Sequence, residues 1–247
     1  MAKLSNTVTT SDGVTLHYET IGQPSSSRPS LVFHHYYGGS PATFKRVLSQ
    51  PVLEPFHKVL YHARGWAPST GPREPGAYSI TALSSDLAAI ISETRLLSHE
   101  AGFILVGHSM GGKVVQHYAA ATPSTALKGL VLVAPAPLHH VLTARPGTLD
   151  HGVVDQCVHD SMRGNEAATA AWPDYASAED YGDLEGKIQV PVLVLRGDRD
   201  FERDIVGEMG GKHGWVQKTV EDCGHLMPLE QPTRLADEIL RFVEEIV

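Results

Sequence analysis

Three runs of this chain are apolar without interruption over four residues: Phe103–Val106, Leu130–Val133 and Val192–Leu195. A strand with one solvated face alternates apolar and polar residues, because successive side chains point to opposite sides. An unbroken run implies a strand covered on both faces, as in a parallel sheet between layers of helix. Residues 79–97 carry Ile80, Leu83, Leu87, Ile90, Ile91 and Leu97, mostly at three- and four-residue spacings, the stripe of an amphipathic helix. The segment after Val106 is compatible with a helix ending at Pro123, and "PTRLADEILRFVEEIV" closes the chain with another. Alternation of strand and helix predicts a doubly wound α/β sheet. Upstream, "TVTTSDGVTLHYETIG" predicts a β-hairpin turning at Asp12-Gly13, and "SLVFHH" and "HKVLYHA" predict two further strands. "WVQKTVE" alternates and is expected near a sheet edge.

Residues 136–187 do not fit this pattern. They are richer in His, Asp, Gly and Ala, show weak helical patches, and sit between two buried strands. They read as an inserted cap, dividing the chain into a core of residues 1–135, the cap 136–187 and a core of residues 188–247. In open α/β sheets ligands bind beyond the carboxyl ends of the strands, so such a cap would lie over the binding crevice.

A chain of 247 residues suits one large α/β domain with an insertion. The net charge of −8 and the lack of any dense basic run argue against nucleic acid or an anionic membrane as the main partner. No apolar run approaches the ~20 residues of a membrane span. The N-terminal "MAKLSNTVTT" has no apolar stretch of signal-peptide length. The two cysteines, Cys157 and Cys223, make neither a disulfide framework nor a zinc site. Together these features predict a reducing, cytoplasmic setting.

Gly107-His108-Ser109-Met110-Gly111 fits the pattern Gly-x-Ser-x-Gly at the point where a buried strand meets a helix. A sharp turn there pushes the serine out over the sheet edge, and its neighbours two positions away must be small. The N–H groups opening the next helix face the same spot and suit a developing negative charge. A serine hydroxyl is a weak nucleophile until a base takes its proton, and the base needs an acid to orient it. Downstream, "VPVLVLRGDRD" ends a buried strand in Asp198 and Asp200, with Asp204 beyond, and "DCGHLMPLEQP" places His225 before the last helix. Ser109, Asp200 and His225 stand in the chain order expected for this α/β fold.

In these residues the chain resembles the α/β-hydrolase family, in its esterase and lactonase-like branch. The resemblance runs through almost the whole length and includes "LVFHHYYGGS", "ARGWAPS", "VGHSMGG", "VLRGDRD" and "CGHLMPLEQP". It implies a mostly parallel central sheet with helices on both faces and a small inserted cap. It selects Asp200 over Asp198, because the family's aspartate usually stands three residues after the glycine ending its strand. It implies an oxyanion hole built from the Met110 N–H and an N–H of the loop after the third strand. There the family often has His-Gly-x, and x donates; this chain has His35-Tyr36-Tyr37, so Tyr37 donates, or Tyr36 if the register slips by one. A tyrosine in place of the glycine is expected to narrow the pocket mouth.

Other conspicuous residues are read as structural. His108 is a packing or hydrogen-bonding residue, His34 and His35 support their loop, Arg64-Gly65-Trp66 form a turn, and Cys223 is a small buried residue. The cap holds His139, His140, His151 and His159; Asp155 and His159 could share a helix face but form no tight cluster. No metal and no cofactor are expected. Trp172, Met162 and Tyr175 either line an apolar pocket or form the cap's own core, and Tyr36 and Trp172 are the candidate substrate contacts. The expected activity is hydrolysis of a small to medium carboxylic ester or lactone through an acyl-enzyme on Ser109. The same triad serves cofactor-free haloperoxidase or perhydrolase chemistry and carbon–carbon bond hydrolysis. A slow-turnover ligand receptor is the alternative of another class, and whether the chain forms a homodimer stays open.

Overall fold

A computed structural model describes residues 3–136, 151–200 and 214–247. Eight strands, β1 (Lys3–Thr9), β2 (Thr15–Ile21), β3 (Ser30–His34), β4 (Lys58–Tyr61), β5 (Phe103–His108), β6 (Leu127–Val133), β7 (Val192–Gly197) and β8 (Val216–Val220), form one sheet. Their spatial order is β1-β2-β4-β3-β5-β6-β7-β8. β1 pairs with β2 and β2 with β4 antiparallel, and every later pairing is parallel. The hairpin turns where Asp12-Gly13 stands, with Gly13 at φ +85°. β8 is one of the two edge strands, as its alternation implies, and β1 is the other.

The helices are α1 (Lys45–Leu48), α2 (Ile80–Glu93), α3 (Met110–Ala121), α4 (His151–Ser161), α5 (Glu166–Asp174), α6 (Met227–Glu230) and α7 (Pro232–Ile246). The continuous apolar runs sort by parity into two cores. Phe103, Leu105, Leu130, Leu132, Val192 and Val194 pack with Leu83, Leu87 and Ile90 of α2 and Val114, Val115 and Tyr118 of α3. Ile104, Val106, Val131, Val133, Leu193 and Leu195 pack on the opposite face with Leu235, Ile239 and Phe242 of α7. Burying each such side chain contributes about 1.5–3 kcal/mol, so these strands specify burial on both sides.

The helical stripe stops short of its expected end. α2 closes at Glu93, where the Thr94 hydroxyl donates to the Ile90 carbonyl at 2.6 Å. Arg95 then takes φ +56° and resets the side-chain phase. Leu96 turns inward at 1% exposure, whereas Leu97, expected on the buried stripe, is 50% exposed.

The described part of the segment between β6 and β7 holds α4, α5 and two short 3-10 turns, Ala176–Ala178 and Gly182–Lys187. Main-chain bonds join it to the loop after β4: Ala67 N–H to Arg163 O (3.1 Å) and Asn165 N–H to Gly65 O (2.8 Å). The Asn165 side chain caps α5 through the Ala168 N–H (2.8 Å) and donates to the Tyr78 hydroxyl (2.8 Å). The buried Lys113 of α3 donates to the carbonyls of Ser177 (3.0 Å) and Glu179 (2.5 Å). Met162 is 81% exposed just past α4, so it belongs neither to a pocket nor to a cap core. His139, His140 and Asp204 lie outside the described residues.

Candidate active site

Ser109 stands between β5 and α3 with φ +53° and ψ −116°, a backbone conformation that L side chains rarely adopt. Strain of this kind costs about 1–3 kcal/mol and persists only where the surroundings enforce it. Here the Ser109 N–H donates to Val133 O (3.0 Å), while its carbonyl accepts from Gly112 (2.8 Å) and Ala136 (2.9 Å). The small neighbours have identifiable reasons. A Cβ at Gly107 would meet Gly111 O at 2.4 Å, and one at Gly111 would meet His34 O at 2.4 Å. The elbow and the loop after β3 are therefore packed backbone to backbone.

The Ser109 hydroxyl lies 2.9 Å from His225 Nε2. His225 Nδ1 faces both carboxylate oxygens of Asp200, at 3.3 and 3.2 Å. Asp200 is 3% exposed. The nearby Asp198 is occupied elsewhere: its carboxylate accepts from the Cys223 N–H at 3.0 Å, a bond that helps hold it below the usual carboxylate range. Gly197, where β7 ends, allows the β8–α6 loop to close in, because a Cβ there would meet Cys223 O at 2.0 Å. Cys223 is fully buried, and burial pushes its thiol up to about 12.

Met110 opens α3, so its N–H is among the helix's first, which have no acceptor within the helix. Among the described residues, the N–H groups of Met110, Tyr36 and Tyr37 donate to no backbone carbonyl. His35 shapes the tyrosine loop: its Nδ1–H donates to Tyr36 O (2.7 Å) and its Nε2 accepts from the Ala63 N–H (3.1 Å). His34 Nδ1–H donates to His35 O at 3.0 Å. Burial lowers His34 to about 3 and His35 to about 4, so both remain neutral supports. Gly38, at φ +74°, turns the loop, and Gly39 leaves room for the Tyr36 ring, which a Cβ would meet at 2.7 Å.

The two tyrosines diverge. Tyr36 packs its ring on His108, with centroids 5.2 Å apart, and burial raises its hydroxyl pKa. Tyr37 stacks on Trp172 (6.3 Å), meets Trp66 edge-on (5.7 Å), and donates to Thr169 O at 2.5 Å. Trp172 and Met110 line a narrow cavity of about 10 Å³ together with Trp66, Ala168 and Ala171. Tyr175 instead bonds the loop before α2, accepting from the Tyr78 N–H at 3.1 Å. A separate cavity of about 420 Å³ lies at the other end of the sheet, among Pro29, Val52, Phe56, Leu240 and Val243, and touches none of these residues.

Several positioning contacts have no signature in the sequence. Arg64 is confirmed as a turn support: it is 2% exposed and grips Asp86 through Nε (2.7 Å) and Nη2 (2.6 Å). Asp160 is buried on α4 and accepts from Ser40 Oγ (2.7 Å), tying α4 to the tyrosine loop. Both pairs join residues far apart in the chain, and an isolated aspartate announces no partner. Among the described residues no group of three or more His, Cys, Asp or Glu could hold a metal ion, and no helix is long and apolar enough to cross a membrane.

Comparison with known proteins agrees with this architecture. An esterase from Exiguobacterium antarcticum superposes with a TM-score of 0.81 at 19% identity, covering 98% of this chain and 100% of that one. The "Bifunctional esterase/perhydrolase DCH" of Acinetobacter calcoaceticus is 25% identical over 279 aligned positions, 96% of this chain and 98% of that protein. "Protein phosphatase methylesterase 1" of Candida albicans is 29% identical over 117 residues, 47% of this chain but only 32% of the longer protein. Residues 25–149, half of the chain, match the Hydrolase_4 family (serine aminopeptidase, S33). With that match spanning the tyrosine loop and the serine elbow, and with the sheet described above, the chain belongs to this family of α/β-fold hydrolases.

Proposed function

We propose that the protein is a serine hydrolase acting on small to medium carboxylic esters or lactones. The observation that carries this reading is the Ser109 hydroxyl 2.9 Å from His225 Nε2, with His225 Nδ1 on the buried Asp200 carboxylate. His225 takes the Ser109 proton as Oγ attacks the substrate carbonyl carbon. Asp200 holds the Nδ1–H tautomer and stabilises the imidazolium. The oxyanion is received by the Met110 N–H and an N–H of the tyrosine loop, Tyr37 or Tyr36. As the intermediate collapses, the C–O bond to the leaving group breaks and His225 returns the proton to the leaving alcohol. Water, deprotonated by His225, then attacks the acyl-enzyme and releases the acid and Ser109.

The described part of residues 136–187 acts as a cap over this site, and Tyr36 and Trp172 contact substrate; the stacking of Trp172 on Tyr37 supports that placement for Trp172. No cofactor takes part. The unpaired thiols of Cys157 and Cys223 support a reducing, cytoplasmic setting. A peracid-forming activity on the same triad is the second reading, favoured by the similarity to the Acinetobacter esterase/perhydrolase.

The test is a panel of p-nitrophenyl esters, simple lactones and an aminoacyl p-nitroanilide, with wild type and Ser109→Ala compared. Esters or lactones should turn over fastest, and Ser109→Ala should lose at least about 1,000-fold in kcat. Rapid turnover retained in Ser109→Ala, or a clear preference for the anilide, would overturn the reading. Peracid formation from acetate and hydrogen peroxide scores the second reading.

A further inference from the structure

The histidine base is held by its main chain as well as by its ring. Glu230, the last residue of α6, folds its carboxylate back over the loop that carries His225. Its Oε2 accepts from the Gly224 N–H at 2.8 Å and its Oε1 from the Leu226 N–H at 2.9 Å. These are the peptide N–H groups on either side of His225. From a third direction, His108 Nε2–H donates to the His225 carbonyl at 2.8 Å. His108 is fully buried, adjoins Ser109 in sequence, and packs against the rings of Tyr36 and His225. The fit around Gly224 is close, because a Cβ there would lie 3.1 and 3.2 Å from the two Glu230 oxygens.

We propose that Glu230 and His108 are positioning residues that clamp the main chain of His225 and thereby set its distance from Ser109. The inference rests on the triad reading given above. His225 sits in a loop between β8 and α6, and its ring bonds to Asp200 are long, at 3.2 and 3.3 Å. A long, bifurcated contact restrains a ring weakly, so the loop itself must be located. A carboxylate accepting two N–H bonds is among the stronger means of doing so. His108 adds registry: because it is joined covalently to Ser109, a displacement of the elbow carries the base with it. Neither side chain needs to touch substrate, so both should act on the proton-transfer geometry alone.

The experiment compares Glu230→Gln, Glu230→Ala, His108→Gln and His108→Ala with wild type in three readouts. These are kcat and KM on p-nitrophenyl acetate, the rate of Ser109 labelling by a fluorophosphonate probe, and NMR of the His225 ring with amide exchange at Gly224 and Leu226. Both alanine variants should lose about 100-fold in kcat, with KM unchanged, since a base displaced by about 1 Å costs that much. Probe labelling should slow in parallel, as it requires the same base and no acyl pocket. His108→Gln, whose amide can donate to the His225 carbonyl, should recover most of the loss. Glu230→Gln keeps one acceptor and the side-chain volume, should fall between, and decides the matter if Glu230→Ala does not fold. Wild-type kcat and labelling rate in folded variants would overturn the proposal, as would a loss confined to KM. If wild type itself neither hydrolyses the ester nor labels, the triad reading fails instead. The clamp is then judged by NMR: faster Gly224 and Leu226 exchange with a shifted His225 ring supports it, and unchanged spectra overturn it.

Discussion

At Ser109 the proposed nucleophile and the strained backbone occupy one residue. The positive φ of +53° is forced by the main-chain bonds to Val133, Gly112 and Ala136, and glycine would adopt it freely. Ser109→Gly should therefore be more stable than Ser109→Ala by about 1 kcal/mol in urea unfolding, although both lack the proposed nucleophile. Equal stabilities would mean that the turn carries no strain. The histidines around the site also separate by environment. Burial lowers His34 and His108 to about 3 and His35 to about 4, so these three stay neutral from pH 5 to 8. Hydrolysis should rise with pH along one titration, that of His225, because only neutral imidazole accepts the serine proton. The acid limb of log kcat/KM against pH should have a slope of about one, and a flat profile under chemistry-limited conditions would remove His225 as base.

At the level of elements, the proposed reading makes α5, in the described part of the β6–β7 segment, the element that governs how the site meets its substrate. The cavity beside Met110 is about 10 Å³, room for about one water, and Trp172 of α5 lines it. Trp172→Ala should open it toward longer acyl chains. The butyrate-to-acetate ratio of kcat/KM should rise by about tenfold on p-nitrophenyl esters, and an unchanged ratio would place the acyl chain elsewhere. The same segment is anchored by Lys113, which burial pushes down to about 8 despite the nearby charges of Glu179 and Asp180. A lysine with a depressed folded pKa is protonated in both states below pH 8, loses its proton first in the folded state, and so favours folding as pH rises toward the unfolded value. Lys113 should thus add about 1–3 kcal/mol between pH 8 and 10.5, a rise that Lys113→Met should abolish in urea unfolding across that range.

Across the whole molecule, one sheet carries two cores, and its middle strands belong to both. Leu105 on β5 is fully buried in the core that α2 and α3 cover. Leu105→Ala should cost about 2–5 kcal/mol in cooperative unfolding while leaving KM unchanged for the folded enzyme. A loss below about 1 kcal/mol would mean that this core repacks freely.

What the sequence alone determined is whatever depends on local periodicity and short-range sterics. Unbroken apolar runs marked strands with two buried faces, and alternation marked β8 as an edge. Gly107 and Gly111 around Ser109 marked a turn that admits no larger neighbour. The sequence placed Asp198, Asp200 and His225 in loops after β7 and β8, and only the family resemblance chose Asp200 over Asp198. The end of α2 was not legible, because a single left-handed residue, Arg95, changed which leucine turned inward. Met162 was equally opaque, since nothing in an amphipathic segment states which face a neighbour covers. Tertiary structure alone decided the pairings of Arg64 with Asp86, of Asp160 with Ser40, and of His108 with the His225 carbonyl. Such contacts join residues from 22 to 120 positions apart. Their geometry exists only after the sheet has assembled, because burial makes an unpaired polar group costly and thereby selects its partner.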